Sequence, residues 1–149
     1  MNAPAPRIAL AITDITDADV AEIIALWQRC GLTRPWNDPA SDIALARARE
    51  NSTVLVGRAG GAIAASVMVG HDGHRGWVYY VAVDPDCQKK GFGRAIMDAA
   101  EQWLRAVGLL KLQLMVRREN SQANAFYQSI GYEEADTVVF AKWIDDRAK

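Results

Sequence analysis

The sequence predicts one α/β domain over residues 1–149, built from a mixed β-sheet with helices on both faces. The length is that of a single domain, and the balance of 50% hydrophobic and 23% charged residues is typical of a soluble globular protein. Strand-like and helical patterns follow one another in the order β-α-α-β-β-β-α-β-α-β. Residues 77–83 are apolar or aromatic at every position, which is typical of a central strand covered on both faces.

The first strand is predicted over residues 7–12, and a helix follows it. Thr16 or Asp17 is the expected N-cap of this helix, and Gly31 is its expected end. Its apolar residues recur at helical spacing, at Val20, Ile23, Ile24 and Trp27.

A second helix is predicted to begin at Asp38, followed by Pro39 in its first turn. Strands are expected over residues 53–57 and 62–70, and the RAGG segment at 58–61 predicts a hairpin between them. These three elements precede the central strand in the sequence.

The second half of the chain predicts a turn at residues 71–76, the central strand at 77–84, and a long helix that ends at Gly108. Further strands are expected over 111–116 and 137–144, separated by a short helix that ends at Gly131. The apolar stripe of the long helix is predicted to contain Ile96, Ala99, Ala100, Trp103, Leu104 and Val107.

Composition excludes several classes of function. The formal net charge is −1 and the pI is near 6.1, so the chain offers no broad basic surface for nucleic acid or anionic lipid. Cys30 and Cys87 form neither a disulfide framework nor a zinc motif, which favours a reducing cytoplasmic location and no bound metal. The N-terminal residues do not resemble a signal peptide, and no stretch is long and apolar enough for a membrane span.

The segment DCQKKGFGRAI, residues 86–96, places Lys89, Lys90 and Arg94 around two glycines where the central strand ends and the long helix begins. Unpaired amides at a helix N-terminus favour phosphate, and Gly91 and Gly93 would let a ligand approach the backbone closely. An ordinary polar corner is the alternative. A P-loop is excluded because no GxxxxGK[ST] run exists, and Ile96 occupies the third glycine position of the dinucleotide fingerprint.

Two motifs in the right order strengthen the phosphate interpretation. The pattern Q-x-x-G-x-G is followed about thirty residues later by N-x-x-A-x-x-x-Y-x-x-x-G-[YF]. The matching residues are Gln88, Gly91 and Gly93, then Asn120, Ala123, Tyr127, Gly131 and Tyr132. Together these motifs resemble those of the GNAT superfamily of acetyl-CoA-dependent N-acetyltransferases.

This resemblance implies a central mixed, mostly antiparallel sheet of six or seven strands flanked by four helices. It implies acetyl-CoA as cosubstrate, no metal, and an acceptor amine on a small molecule, a protein N-terminus or a lysine. The amine would attack the thioester directly through a tetrahedral intermediate. It also implies a possible homodimer.

The resemblance also implies roles for individual residues. The backbone of Val81, Ala82 and Val83 would hold the pantetheine arm and orient the thioester carbonyl, and Asn120 would bond the arm with its side chain. Phe126 would line the channel. Backbone amides would cradle the pyrophosphate at Gln88, Lys89, Lys90, Gly91, Phe92, Gly93 and Arg94.

Tyr127 would be the general acid that protonates the departing thiolate. The apolar pattern alone favours another interpretation, because Tyr127 shares an apolar helical stripe with Ala123 and would then be a core aromatic. The match of Asn120 and Gly131 to the family motif favours the general acid instead.

The general base and the acceptor pocket stay open. Met115 occupies the place where relatives that acetylate protein N-termini often carry a glutamate, which argues against that base here. Trp36 and Arg34 would line the acceptor pocket, or would be a core tryptophan and a solvated arginine. The remaining base candidates are His71, Asp72, His74, Glu119, or a water held by Tyr79 or Tyr80. For the histidines, a solvated turn is the alternative.

A different class of function also fits the sequence. A non-catalytic domain that binds acyl-CoA as a sensor would need the phosphate turn but not Tyr127.

Overall fold

The computed structural model describes residues 9–148, which divide into two compact units between Met115 and Val116. Among these residues, the first unit contains five strands and three α-helices, and the second contains one α-helix. Part of the strand expected at residues 7–12 lies outside the described residues. The strand observed there is β1, Ala11–Asp14.

The strands of the first unit form one sheet in the order β1-β2-β3-β4-β5. After β1 they are β2 (Ser52–Ala59), β3 (Ala62–His71), β4 (Gly76–Val83) and β5 (Leu112–Gln113). The first four pair antiparallel, and β5 runs parallel to β4. The sheet is therefore mixed and mostly antiparallel, as predicted.

Gly60 and Gly61 join β2 to β3, which confirms the hairpin predicted at residues 58–61. Both have positive φ, of 60° and 85°, which a tight hairpin turn requires of its two central residues.

Three helices cover this sheet, namely α1 (Val20–Arg29), α2 (Pro39–Arg47) and α3 (Phe92–Ala106). The start of α1 is later than predicted, because Asp17–Asp19 form a 3-10 turn in front of it. Asp38 caps α2 as predicted, and its side chain accepts a hydrogen bond from the Ala40 N–H at 3.1 Å.

The core has two parts. Buried residues of α1 and α2 cluster with Val54 and Val56 of β2, whereas α3 packs on β2, β3 and β4 with residues outside that cluster. Helices therefore cover the sheet on both sides. The buried residues of α3 are Phe92, Ile96, Met97, Ala100 and Leu104. Val107 is 48% exposed, so its predicted place in the buried stripe is wrong. It is the C-cap residue, beyond the last turn of α3.

The second unit is organised around α4, Ser121–Ser129. The Asn120 side chain caps its start by accepting a hydrogen bond from the Ala123 N–H at 3.1 Å. At its end, Gly131 has φ 100°, the Gly131 N–H donates to Gln128 O, and the Tyr132 N–H donates to Tyr127 O at 3.0 Å. These bonds form a Schellman motif, so the predicted helix end at Gly131 is confirmed.

Two predicted strands differ from the structure. The strand expected over residues 111–116 is reduced to Leu112–Gln113, and residues 137–144 form no strand among the described residues. The six or seven strands expected from the resemblance are therefore five in the described part of the chain. A strand needs a paired neighbour, and Val138, Phe140 and Ile144 are instead 78%, 95% and 96% exposed. The apolar residues of this segment predicted a strand, but they do not by themselves supply a pairing partner.

Across residues 9–148, no helix is both long and apolar enough to cross a membrane. The same residues contain no cluster of three or more His, Cys, Asp or Glu side chains that could hold a metal ion.

Candidate active site

Within residues 9–148, no strand occupies one edge of the far half of β4. β4 pairs with β5 only through Gly76 and Trp77, although its pairing with β3 continues to Val83. The Asp84 N–H donates to Ala64 O of β3 at 2.8 Å. Because antiparallel strands alternate the direction of their polar groups, the N–H and C=O of Val83 point to the opposite edge. An extended ligand can therefore bond to β4 there as a further strand would.

This edge is fixed at its end by the C-terminal turn of α1. The Cys30 thiol donates a hydrogen bond to the Val83 carbonyl at 3.3 Å, and the Arg29 guanidinium forms an ion pair with Asp84 at 2.7 Å. Burial raises the pKa of the Cys30 thiol, so the thiol stays protonated as a donor. Asp84 also accepts from the Asp86 N–H, and this bond and the bond from Arg29 lower the pKa of the Asp84 carboxyl.

A β-bulge interrupts β4 upstream of this edge. Ser66 pairs with Ala82, but Met68 pairs with Tyr79, so Tyr80 and Val81 together oppose one residue of β3. Tyr80 has φ 52°, which is in the left-handed region and is uncommon for a bulky residue. The prediction that β4 is covered on both faces holds only in part, since Tyr79 is 47% exposed.

The turn between β4 and α3 presents free backbone amides. Gly91 is the N-cap of α3 with φ 79°, and it supplies no side-chain hydrogen bond to the first turn of the helix. In the described part of the chain, the backbone N–H groups from Gln88 to Gly93 donate to no protein acceptor. A Cβ added at Gly91 would meet no atom within 4 Å, so the space beside these amides is open. This combination of open space and unpaired amides suits an anion.

The side chains of the turn agree with this use. Gln88, Lys89 and Lys90 are exposed, and Phe92 is buried with 2% exposure, anchoring the first turn of α3 in the core. Lys89 has φ 65°, a second left-handed residue that is not glycine.

The second unit carries the other predicted site residues on α4. Tyr127 is partly buried, and its ring contacts those of Phe126 and Tyr132 edge-on, with centroid distances of 5.0 and 5.9 Å. Burial raises the pKa of Tyr127 to about 12. Asn120 uses Oδ1 to cap α4, so a ligand contact through its side-chain amide would use Nδ2.

The predicted base candidates in the 71–76 turn have local structural roles. The His71 Nδ1 accepts from the Gly73 N–H at 3.0 Å, and Asp72 Oδ1 accepts from the N–H groups of His74 and Arg75 at 2.9 and 2.8 Å. The bonds from Arg75 and His74 hold the pKa of the Asp72 carboxyl below its ordinary value. These contacts are typical of a turn stabilised by an aspartate and favour the alternative of a solvated loop.

The two predicted acceptor-pocket residues, Arg34 and Trp36, differ in their surroundings. The Arg34 guanidinium donates to the carbonyls of Gly31 and Thr33 at 2.8 and 2.9 Å, where it stabilises the end of α1. Trp36 is 47% exposed, so it is not a core tryptophan.

Sequence reasoning missed one set of residues near the bulge. The Tyr80 hydroxyl donates to Asp42 Oδ2 at 2.6 Å, and the Tyr80 ring stacks on Trp27 with a centroid distance of 3.8 Å. Burial and the hydrogen bond to Asp42 raise the pKa of Tyr80, and because its hydroxyl already donates to Asp42, this contact argues against the predicted role of Tyr80 in holding a water as base. Asp42 and Tyr80 lie 38 residues apart, and no local pattern connects them.

Comparisons with known proteins agree with this geometry. Residues 15–132 match the acetyltransferase (GNAT) family. Acetyltransferase YE1169 from Yersinia enterocolitica serotype O:8 / biotype 1B is 42% identical over 125 residues, which are 84% of this chain and 89% of that protein.

Two solved structures are similar in fold. The aminoglycoside acetyltransferase AAC(6')-Iy, in complex with a bisubstrate analogue of CoA and acetylneamine, has a TM-score of 0.78 at 14% identity, covering 91% of this chain and 98% of that one. The ribosomal-protein-S18-alanine N-acetyltransferase from Escherichia coli has a TM-score of 0.72 at 26% identity, covering 85% and 79%. With a family match over 15–132 and 42% identity to a named acetyltransferase, this chain belongs to the GNAT family and is an acetyltransferase enzyme.

Proposed function

We propose that the protein transfers an acetyl group from acetyl-CoA to a primary amine, by direct attack of the amine on the thioester. GNAT enzymes use acetyl-CoA. The observation that carries the proposal is the unpaired edge of β4, which leads directly into a turn with free amides at the start of α3. A strand edge and an anion site in this order match a pantetheine arm followed by a diphosphate.

The diphosphate is bound by the backbone rather than by a single side chain. The amides from Gln88 to Gly93 and the N-terminal dipole of α3 stabilise negative charge, and the exposed ammonium groups of Lys89 and Lys90 add to this field. Gly93 is not in the left-handed region, so its lack of a side chain serves close approach and not backbone conformation.

The pantetheine arm lies along β4 as an added strand, bonded to Val81 and Val83 with Ala82 between them. The thioester carbonyl then lies at Val81, just after the bulge. As the amine nitrogen attacks the carbonyl carbon, negative charge grows on the carbonyl oxygen, and the Val81 N–H stabilises it.

The attacking nitrogen loses one proton to water, and the intermediate collapses when the C–S bond breaks, which leaves a neutral acetylated amine and a CoA thiolate. The resemblance assigns to Tyr127 the proton that this thiolate takes up. With its pKa raised to about 12, Tyr127 is a weaker acid than the thiol by about 3.5 pH units, or roughly 5 kcal/mol. Burial raises the pKa of a thiol as well. A thiolate formed in a site without water would therefore be more basic, and the difference between the pKa of the thiol and that of Tyr127 would be smaller.

The acceptor is an uncharged amine when it attacks. In the described residues, His71 Nδ1 and Asp72 Oδ1 accept hydrogen bonds from backbone N–H groups of the turn, which favours a structural role for these two atoms over that of a base. The simplest pathway is loss of the ammonium proton to water before attack, with a rate that increases as pH approaches the amine pKa of about 10.

Similar proteins suggest two classes of acceptor. One similar structure is an aminoglycoside N-acetyltransferase, and another is a ribosomal-protein-S18-alanine N-acetyltransferase. Met115 in place of a glutamate favours the small-molecule class, because the base associated with N-terminal acetylation is missing.

The test is mass spectrometry of the protein with acetyl-CoA and a panel of polyamines, aminoglycosides, amino acids and peptides. We expect one class of amine to gain an acetyl group, with release of an equal amount of CoA thiol. Binding of acetyl-CoA with no acetylated product from any amine would instead support the alternative of a non-catalytic sensor.

The role of Tyr127 is tested by Tyr127→Phe. We expect CoA affinity to stay within about twofold and turnover to fall by about 10²- to 10³-fold, the range typical of lost acid–base catalysis. Tyr132→Phe is the control, because it removes a hydroxyl from a neighbouring ring, 5.9 Å from that of Tyr127, and keeps the ring packing. Turnover of Tyr127→Phe equal to that of the wild type would reduce Tyr127 to a packing residue.

A further inference from the structure

We infer that Ser66, Tyr80, Trp27 and Asp42 form a clamp that fixes the peptide between Tyr80 and Val81, and so aims the Val81 N–H at the thioester. None of the four needs to touch the reacting atoms, so they are positioning residues. This inference rests on the proposed function, and it names the device that orients the donor in that function.

The backbone at Tyr80 needs external support. A residue with a bulky side chain avoids φ 52° unless its surroundings impose it. Without support, the bulge would relax, and Val81 would lose its fixed place opposite β3.

The buried side of the clamp holds the peptide itself. The Ser66 hydroxyl donates a hydrogen bond to the Tyr80 carbonyl oxygen, with an Oγ–O distance of 3.2 Å. Ser66 is fully buried, and its own Oγ accepts from the Trp27 Nε1–H at 2.8 Å, which leaves its proton for the carbonyl.

The geometry of the peptide unit transfers this constraint to Val81. The described chain has no cis peptide, so the Tyr80 carbonyl and the Val81 N–H, which belong to the same peptide plane, point in opposite directions. A carbonyl held towards Ser66 therefore holds the Val81 N–H away from Ser66. One buried hydroxyl thus determines the direction of the proposed oxyanion donor.

The side chain of Tyr80 is held at two further points. Its ring lies parallel to Trp27, with a centroid distance of 3.8 Å and an interplanar angle of 6°. Its hydroxyl donates to Asp42 of α2 at 2.6 Å, a short bond to a carboxylate of the kind that is stronger than a neutral one. The ring contact fixes the position of the side chain, and the hydroxyl contact fixes its rotation.

Ser66→Ala tests the buried side of the clamp, because it removes the bond to the Tyr80 carbonyl and keeps the volume small. Ser52→Ala is the matched control. The Ser52 hydroxyl also donates to a backbone carbonyl, that of Ala46 at 2.7 Å, but it lies on β2, away from the bulge.

Two readouts separate positioning from simple stability. For Ser66→Ala we expect kcat to fall by about 10- to 100-fold. This decrease in kcat is no larger than the one caused by removing an oxyanion donor altogether. We expect the KM for acetyl-CoA to stay within about threefold of the wild-type value. We also expect the amide resonance of Val81 to shift in a ¹H–¹⁵N spectrum, while Ser52→Ala leaves kcat and that resonance unchanged.

Tyr80→Phe is the second variant, and it keeps the test valid if Ser66→Ala does not fold. It preserves the stack on Trp27 and removes only the bond to Asp42, and we expect a smaller loss of kcat, about threefold to tenfold, with a shift of the same Val81 resonance. A folded variant with unchanged kcat and an unmoved Val81 resonance would overturn the clamp. Failure of the wild type to bind CoA would instead overturn the proposed function, and the Val81 resonance would still report on the clamp.

Discussion

Tyr80 in the bulge and Lys89 in the turn are both non-glycine residues in the left-handed region, with φ values of 52° and 65°. They lie nine residues apart, yet their surroundings are opposite. Tyr80 contacts Trp27, Ser66 and Asp42, whereas Lys89 is exposed in a turn whose amides make no protein hydrogen bond in the described residues.

The difference matches two demands of acyl transfer. A donor to a developing oxyanion must be aimed before the reaction, so the bulge is braced from several sides. A diphosphate needs several donors that are not already used, so the turn is left without internal partners. The left-handed conformation of Tyr80 is therefore stabilised by contacts within the protein. That of Lys89 lies in a turn whose amides are available to a bound diphosphate.

Removing the largest support of the bulge is expected to have the largest effect. Trp27→Ala should lower the free energy of unfolding by about 3–5 kcal/mol, because Trp27 is fully buried and both stacks on Tyr80 and bonds Ser66. Urea unfolding measures this change. Trp36→Ala, at a tryptophan that is 47% exposed, should change it by about 0.5 kcal/mol, and equal effects at both would contradict the account.

The same substitution at the two left-handed residues sharpens the comparison. Tyr80→Gly should lower the free energy of unfolding by roughly 2–4 kcal/mol, because the lost ring packing exceeds the relief of backbone strain. Lys89→Gly should raise it by up to about 1 kcal/mol, because backbone strain is relieved and the exposed Lys89 side chain makes no hydrogen bond or ion pair with the described residues. Chemical unfolding of both variants gives the sign, and destabilisation by Lys89→Gly would show that the turn is braced after all.

Alkaline pH should act on the bulge by a smaller amount. Burial and the bond to Asp42 raise the pKa of Tyr80, so the folded state favours the neutral phenol. Its contribution to stability is complete below the unfolded pKa of about 10 and is lost as pH rises above that value. The loss of stability between pH 8 and 11 should therefore be smaller in Tyr80→Phe than in the wild type, by urea unfolding at each pH. Identical losses in the two proteins would contradict this role of the hydroxyl.

The sequence was a good guide wherever structure is decided locally. The helix ends at Gly31, Gly108 and Gly131 were predicted correctly, and in all three the glycine has positive φ and closes the last turn. The start of α2 was also predicted correctly, because Asp38 as the N-cap and Pro39 as the first helical residue are likewise local signals. A cap depends only on residues within one turn of itself.

Long-range features were predicted less well. The regular strand expected around Tyr80 contains a bulge, because pairing with β3 and contacts to α1 and α2 decide that conformation. The strand expected at 137–144 is wrong in the described chain, since an apolar segment does not by itself supply a pairing partner.

The motif on α4 combines a feature that is determined locally with a functional role that the structure does not test. Its spacing from Asn120 to Tyr132 was used as a mark of the family, and the structure shows that Asn120 and Gly131 are the N-terminal and C-terminal caps of α4. The fixed distance between motif residues is therefore in part the length of a capped helix. The backbone carbonyl of Tyr127 accepts the hydrogen bond from the Tyr132 N–H in the Schellman motif. The role of the Tyr127 hydroxyl in catalysis stays a prediction.

The most direct test of the account is calorimetric titration of Gly91→Val and Gly60→Val with CoA and with pantetheine, which lacks the diphosphate. Both glycines have positive φ, and an added Cβ at either meets no atom within 4 Å, so the two variants carry similar backbone strain. We predict micromolar binding of CoA to the wild type and to Gly60→Val, a loss of about tenfold or more in Gly91→Val, and no difference among the three with pantetheine. CoA affinity that is unchanged in Gly91→Val would contradict the claim that the open amides before α3 bind the diphosphate.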